Sequence, residues 1–317
     1  MTRTHKAFAG LKIVLLVFVL SLFFIACKKR KAFNAEDGQS LVDVTDIRAQ
    51  SDLVLTDANE IISNQFFLRG KSSSENGLSA AFCGISLDSS LIYNGKLIFN
   101  YNGTICNNLK REGQVVVSIQ NYPSKKWKDK GAVLQITFAD YVATNSADNR
   151  SVKINGTMSV TNMSGGTYYE LRYLNQSSLV QSVSALSLDV VFDNIGFVKA
   201  NMERRVTFTL QGSTIAAMDE GTASQGNDAN VDCWGTDRSE KVFTNLITTN
   251  VLWNNMCGPT RIKGGAVTLK KTDTYFDLHG VYGTDVDGKV TGGNDCPYGW
   301  KMDWTLRNRT KHRVFNY

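Results

Sequence analysis

Val133-Leu134-Gln135-Ile136-Thr137-Phe138-Ala139-Asp140-Tyr141 alternates in character with a period of two. Val133, Gln135, Thr137 and Ala139 stand on one side, and Leu134, Ile136, Phe138 and Asp140 on the other. Successive side chains of an extended chain point to opposite faces of a sheet. A stretch of this kind, rich in β-branched and aromatic residues, is therefore a strand with one face against a core.

The same pattern recurs on both sides. Gly95–Tyr101 puts Leu97, Phe99 and Tyr101 on one face, and Gln114–Gln120 alternates Val115, Val117 and Ile119 with Gln114, Val116, Ser118 and Gln120. Val152–Thr161 follows, with Asn155-Gly156 as a bend. Thr167–Leu174, Leu186–Phe192, Phe197–Ala200, Val206–Leu210, Val242–Ile247, Ala266–Leu269, Tyr275–Leu278 and Lys301–Arg307 bring the total to about twelve strands. The connections are short and polar, with 26 glycines and only three prolines in the chain. Such spacing predicts a mainly β fold: an antiparallel meander, a sandwich or a half-open barrel. Strands do not alternate with long helical patterns, which argues against a doubly wound sheet. No strict internal repeat emerges.

One segment departs from this pattern. From Leu41 to Phe67, Val44, Ile47, Leu53, Ala58, Ile61 and Ile62 recur at three- and four-residue intervals, which predicts one N-terminal helix. Thr56-Asp57 ahead of Ala58-Asn59-Glu60 reads as its start, with either side chain as the cap. Lys71–Asn76 reads as a loop.

Residues 1–12 carry Arg3, Lys6 and Lys12 without an acid, and Ile13 to Ala26 are apolar apart from Ser21. A positive segment followed by a short apolar one is the format of a secretory signal peptide. The apolar run is short for a bilayer span, which needs about 20 residues. Phe24-Ile25-Ala26-Cys27 then resembles the lipobox of bacterial lipoproteins, with Phe24 where Leu is usual. The resemblance implies acylation of Cys27, and two or three acyl chains hold a protein to a membrane far more firmly than one. An ordinary cleaved signal is the alternative, as is an uncleaved N-terminal anchor stopped by Lys28–Lys31. The expected organisation is a lipoprotein signal peptide at 1–26, the lipidated cysteine with a basic tether at 27–40, a helical segment and loop at 41–76, and a β domain at 77–317.

Removing the three positive charges of the signal lowers the formal charge from +6 to +3, and Lys28, Lys29, Arg30 and Lys31 account for four more, leaving −1 for the body. A near-neutral body argues against nucleic acid as a partner. The basic tether either lies against anionic headgroups or is a solvated spacer.

Two stretches carry a further resemblance. The first runs Ile98-Phe99-Asn100-Tyr101-Asn102-Gly103-Thr104-Ile105-Cys106, then Leu109-Lys110-Arg111-Glu112-Gly113-Gln114-Val115-Val116-Val117, and continues through Ile136–Val142 and Ile154–Thr157. The second runs from Cys233-Trp234-Gly235-Thr236-Asp237-Arg238 through Cys257-Gly258 to Asp295-Cys296-Pro297-Tyr298-Gly299-Trp300-Lys301. Together, over roughly residues 80–310, they resemble uncharacterised β-rich lipoproteins of Bacteroidota. That resemblance implies a cell-envelope location and an all-β body, and it implies no catalytic residue. In that lineage acidic residues just after the lipidated cysteine accompany surface export. Lys28–Lys31 stand there instead, which implies an outer-membrane protein facing the periplasm.

Six cysteines in an exported chain predict disulfides, and with Cys27 acylated five remain. Cys83 and Cys106 are one candidate pair, and a bridge closing a loop of that size contributes roughly 3 kcal/mol. Cys257 and Cys296, which bracket the predicted hairpin of Ala266–Leu269 with Tyr275–Leu278, are the other. Cys233 is then an inert buried thiol rather than a nucleophile. No tight Cys-x-x-Cys spacing supports zinc. His279 and His312 are the only histidines after Cys27, and no Gly-x-Ser-x-Gly elbow exists, so a Ser-His-Asp triad is not legible. Asp285-Val286-Asp287-Gly288 with Asp295 suggests a calcium loop but equally a tight turn, and it lacks the Glu that closes an EF-hand. Asp140 and Asp189 are the carboxylates that could serve a glycosidase. Trp234, Trp253, Trp300 and Trp304 cluster late in the chain as either core or a sugar-stacking platform. Trp300 and Trp304 share a face with Met302, which favours burial. No catalytic residue, metal or cofactor emerges. The expected function is a membrane-anchored envelope lipoprotein with a non-enzymatic binding or structural role, its partner a glycan or an envelope protein. A polysaccharide hydrolase and a lipid or lipoprotein carrier are the alternatives.

Overall fold

The computed structural model describes residues 35–63, 82–272, 274, 276–292, 295–306 and 309–317. The apolar leader, Cys27, Lys28–Lys31 and the Lys71–Asn76 loop lie outside the described residues. Within them, helix α1 (Ala35–Ile61) precedes β1 (Ile85–Asp88), a short 3-10 turn at Ile92–Asn94, β2 (Lys96–Cys106), β3 (Leu109–Ile119), β4 (Val133–Asn145) and β5 (Ser151–Asn162). Helix α2 (Tyr168–Tyr173) leads to β6 (Leu179–Phe192), β7 (Gly196–Gln211), β8 (Thr214–Gly221), β9 (Ala223–Gln225) and β10 (Asp228–Thr236). The chain ends with β11 (Val242–Asn254), β12 (Gly264–Lys271), β13 (Leu278–Thr284), β14 (Gly299–Leu306) and β15 (Arg309–Asn316).

All fifteen strands belong to one antiparallel sheet, a meander in chain order from β1 to β7 that continues from β10 to β15. β10 pairs with β7 at Lys199–Met202, and β8 pairs with the same strand at Arg204–Gln211. Both also pair with β11, so β7, β10, β11 and β8 close a small ring.

The sheet curls because its strands bulge side by side. Register shifts fall at Asn102/Ile105 between β2 and β3, Glu112/Gln114 between β3 and β4, Phe138/Tyr141 between β4 and β5, Asn155/Met158 between β5 and β6, and Ala185/Leu188 between β6 and β7. Each bulge adds a residue, bends its strand and increases the twist, and a row of them turns a flat sheet into a trough. Gly113 shows why the chain needs glycine there. Its φ is +93°, and a Cβ would sit 2.1 Å from the Asp140 carbonyl oxygen.

α1 lies in the trough. At 1.5 Å per residue its 27 residues span about 40 Å. It has no solvent stripe: Leu41, Val44, Ile47, Val54, Leu55, Ala58 and Ile61 are buried, and so are Asp43, Arg48, Ser51, Asp52, Asp57 and Asn59. Against it stand the inward residues of the strands, such as Leu97, Phe99, Val115, Val117, Leu134, Ile136, Val183, Val190, Val206 and Phe208. The observed architecture is thus mainly β with one main N-terminal helix, as expected, and of the meander, sandwich and half-open barrel it is an antiparallel meander that closes a small barrel-like ring.

Several expectations change. The helix begins at Ala35, so residues 35–40, read as tether, are helical, and Thr56 and Asp57 lie inside the helix rather than at its cap. Thr56 Oγ1 donates to the Asp52 carbonyl, and the Asp57 carboxylate is taken by Arg111 and Tyr101. Thr167–Leu174 is not a strand. Thr167 caps α2 in a capping box with Glu170, a Thr-x-x-Glu signature outweighed by the alternating apolar residues. Phe197–Ala200 and Val206–Leu210 are parts of one strand, β7. Tyr275 lies outside the described residues, Phe276 is in a bend, and only Leu278 of that predicted strand starts β13. β1, β8, β9, β10 and β15 had no counterpart in the sequence reading. Asp140, placed on the face of Leu134 and Phe138, is exposed at φ +53°, because the bulge makes Tyr141 the next inward residue.

Candidate functional site

The polar residues of α1 define the most elaborate constellation in the molecule. They point in all directions and meet partners from strands all round the trough. Asp43 receives two hydrogen bonds from the Arg238 guanidinium, both 2.8 Å. Asp57 pairs with Arg111 of β3 at 2.5 Å and accepts from Tyr101 of β2 at 3.0 Å. Glu60 is gripped by Arg172 of α2, one contact being 2.8 Å, and accepts from Asn255. Asp52 pairs with Arg204 of β7, whose other arm reaches Asp219 of β8 at 2.7 Å. Arg48 reverses the polarity and pairs with Asp232 of β10, which also accepts from Asn245 at 2.7 Å.

Neutral contacts complete the seat. Asn59 and Gln181 exchange amide hydrogen bonds of 2.9 and 3.1 Å, and Trp127 Nε1 donates to Asn59. Tyr141 donates to Gln50, Thr45 meets the Tyr282 hydroxyl at 3.0 Å, and Ser40 donates to Asp237. Among the described residues, the five cations holding α1 carboxylates, Arg150 near Asp46 included, are arginines. The guanidinium fork suits buried carboxylates better than a lysine ammonium does.

Burial dominates the electrostatics. It pushes the Asp57 and Asp43 carboxyls up, although Arg111 and Arg238 pull the other way. Around Arg204 one cation faces two carboxylates with no exposure to water, and burial followed by the Asp52 charge raises Asp219 to about 7. Asp237 is the exception: the Lys271 and Ser40 hydrogen bonds outweigh its burial and hold it low. These groups are engaged in holding α1. A general acid or base must be free to meet a substrate.

The sequence-derived candidates fall elsewhere. Cys83 and Cys106 are bonded, S–S 2.03 Å, tying the start of β1 to the end of β2. Cys257 and Cys296 are bonded, S–S 2.14 Å, tying the β11–β12 loop to the β13–β14 loop. Cys233 is free and buried, its thiol pushed up to about 12 by burial. Trp253, Trp300 and Trp304 are buried and Trp234 is half-buried. Trp300 stacks on Phe315 with centroids 4.5 Å apart. His279 is exposed on β13, its Nδ1 3.0 Å from Thr268 Oγ1, with Asp303 opposite it on β14. Asp303 pairs with Lys301, and Thr268 sits mid-ladder between β11 and β13, where backbone N–H groups are committed to strand pairing rather than to an oxyanion. Asp140 is held below the usual carboxylate range by Lys153 and Asn155, the opposite of a glycosidase acid. Asp189 pairs across the ladder with Asn155, on the exposed face of β6.

Asp285 accepts from the N–H groups of Asp287 and Lys289, so its carboxylate closes its own turn. Among the described residues no three His, Cys, Asp or Glu side chains converge to hold a metal ion. No helix among them is long and apolar enough to cross a membrane. The residues that line the seat of α1 escaped the sequence reading. The available signal was the ring of charges at Asp43, Asp46, Arg48, Asp52, Asp57 and Glu60, which no surface stripe accounts for. No protein family, curated protein or solved structure matches this chain.

Proposed function

We propose that this protein is a lipid-anchored, non-enzymatic binding or structural component of a bacterial cell envelope, held at the outer membrane through Cys27 with its β body in the periplasm. The observation that carries the reading is the occupancy of the trough. The concave side of the sheet, where a curled β protein would take a ligand or substrate, is filled by the chain's own helix, with its charges engaged. The carrier alternative pictures a half-barrel sheet wrapping the Ala58–Ile62 helix around a large apolar concavity; the sheet does wrap that helix, and the helix fills the space a cargo would take. Two disulfides suit an oxidising compartment. The apolar run ending at Ala26-Cys27 supplies the address. Function on this reading belongs to the outer surface of the body.

The test is made on the full chain expressed in a diderm bacterium. Wild type incorporates labelled palmitate and sediments with outer membranes, and Cys27→Ser does neither. A Cys27→Ser chain that still labels overturns the anchor. New reducing ends from envelope polysaccharide incubated with the wild type, and lost in Asp140→Asn/Asp189→Asn, would replace the binding reading with the hydrolase one.

A further inference from the structure

The loop between β3 and β4 carries Lys125-Lys126-Trp127-Lys128-Asp129-Lys130. All four lysines are exposed. The only acid among them is occupied, since the Asp129 carboxylate accepts from the Lys126 backbone N–H at 2.8 Å. Arg111, Arg204, Arg238, Lys153 and Lys271 are matched to carboxylates, whereas Lys199, Lys289, Arg309 and Lys311 stand exposed and apart from one another in the sequence or along one strand. None of the four loop lysines forms an ion pair among the described residues. Four unmatched cations in six residues stand on a body whose net charge is −1 (35 − 7 = 28 bases after residue 34, against 29 acids).

The loop is rigidly built, which separates it from a solvated charge run. Trp127 is buried and its indole donates to Asn59 of α1. Asn162 donates to the carbonyls of Trp127 and Gly166, and Gly131 N–H donates back to the Asn162 carbonyl. Gly166 N–H donates to the Lys128 carbonyl, and Lys125 Nζ donates to the Lys130 carbonyl. Little chain entropy therefore remains to be lost when the lysines meet a ligand.

Exposed tyrosines flank this loop. On one side Tyr122 packs against Gly95, two residues from Tyr93, which is 79% exposed. On the other, the segment that braces Lys128 runs into α2, where Tyr169 and Tyr173 pair with centroids 5.0 Å apart and Tyr173 is 67% exposed. Flat, amphipathic rings beside fixed cations suit sugar rings bearing carboxylates.

The geometry points to this loop as a binding site for an acidic polysaccharide, a polymer with one carboxylate every sugar or two. The inference rests on the proposed binding role and specifies its ligand class. A polysaccharide fits better than a lipid headgroup because exposed flat rings accompany the cations, Tyr93 and Tyr173 offering stacking faces that a headgroup does not use. The loop lies by the close of α1, where Tyr168 N–H donates to Ser63 Oγ.

The experiment uses the full chain in detergent micelles, with polygalacturonate as the probe, neutral dextran as control and anionic phospholipid vesicles as a third arm. Lys125→Gln/Lys126→Gln/Lys128→Gln/Lys130→Gln is compared with Lys199→Gln/Lys289→Gln/Arg309→Gln/Lys311→Gln, which removes the same charge from other exposed positions. The loop variant is expected to lose about tenfold or more in affinity for polygalacturonate, with a weaker salt dependence, and the control variant less than about twofold. Thermal melts of both variants matching wild type confirm that folding is unchanged. Equal losses in the two variants, absent binding by the wild type, or loop-dependent binding to vesicles but not to polygalacturonate each overturn the inference. Cleavage of the probe would instead count against the non-enzymatic reading while leaving the lysine site standing if the loop variant loses binding.

Discussion

Arg204 shows how much a single residue decides in this molecule. In Met202-Glu203-Arg204-Arg205-Val206 it looks like part of a surface charge run, yet the period of two puts it on the inward face with Met202 and Val206. There it serves Asp52 of the helix and Asp219 of β8 together. Burial, and then the Asp52 charge, outweigh the one guanidinium the two carboxylates share, so Asp219 is raised from 3.8 to about 7. The linkage follows in sign. Between those values the folded chain holds a proton that the unfolded chain has lost, so this group's contribution to stability falls as pH rises through that window and stays low above it. Asp219→Asn keeps the shape without the charge. We expect its melting temperature to exceed wild type at about pH 8, to converge with it at about pH 4, and to vary less with pH across that interval. A parallel pair of melting curves would refute the shared-cation account. Arg204→Ala, by contrast, leaves both carboxylates buried without their cation and costs about 3–5 kcal/mol at neutral pH, read by denaturant titration.

Among elements, strands were legible wherever one face was uniformly apolar. β3 and β4 follow the period of two closely, and β14 buries Trp300, Met302 and Trp304 on one side as the even spacing implies. Elements that place polar residues inward were misread. α1 hides its start because its acids and amides are its core contacts, and β7 looked broken where Arg204 turns in. β10 carries buried Asp232 and Cys233 and resembled no half-buried strand. Trp304, 7% exposed, closes the inner face of β14. Trp304→Ala is expected to cost about 3–5 kcal/mol without a specific loss of ligand binding. A melt set beside a polysaccharide pull-down decides it, since unchanged melting with lost binding would make Trp304 a ligand contact. Removing the Cys83–Cys106 bridge by a double alanine substitution is expected to cost roughly 3 kcal/mol, because it frees the 23-residue span that the bond closes. Alkylation of both thiols in the folded, unreduced wild type would show that the bond does not form.

The described residues form a sheet wound on a helix, and neither part is complete alone. Without α1 the inward faces of β2 to β7 would meet water, and without the sheet α1 would expose apolar residues on every side. An isolated helix with its charges spread all round has little reason to persist. Both disulfides lie within residues 82–317, so only the peptide chain joins α1 covalently to the strands that hold it. Its capture is therefore a matter of buried apolar area together with the ion pairs to Arg111, Arg172, Arg204, Arg238 and Asp232. Salt screens such buried pairs weakly. These facts predict that α1 stays seated after the chain is cut. With a protease recognition sequence inserted between Ser63 and Phe82 and then cleaved, the two fragments should co-elute on gel filtration, in molar salt as in dilute buffer, and separate only in denaturant. The tyrosine and tryptophan circular dichroism of the cut protein should match that of the intact chain, since Tyr101, Tyr141, Tyr282 and Trp127 bond directly to the helix. Release of the helical fragment under native conditions would mean that the connecting chain, rather than the seat, holds it. The trough would then be open to other occupants, and the carrier reading would regain its ground.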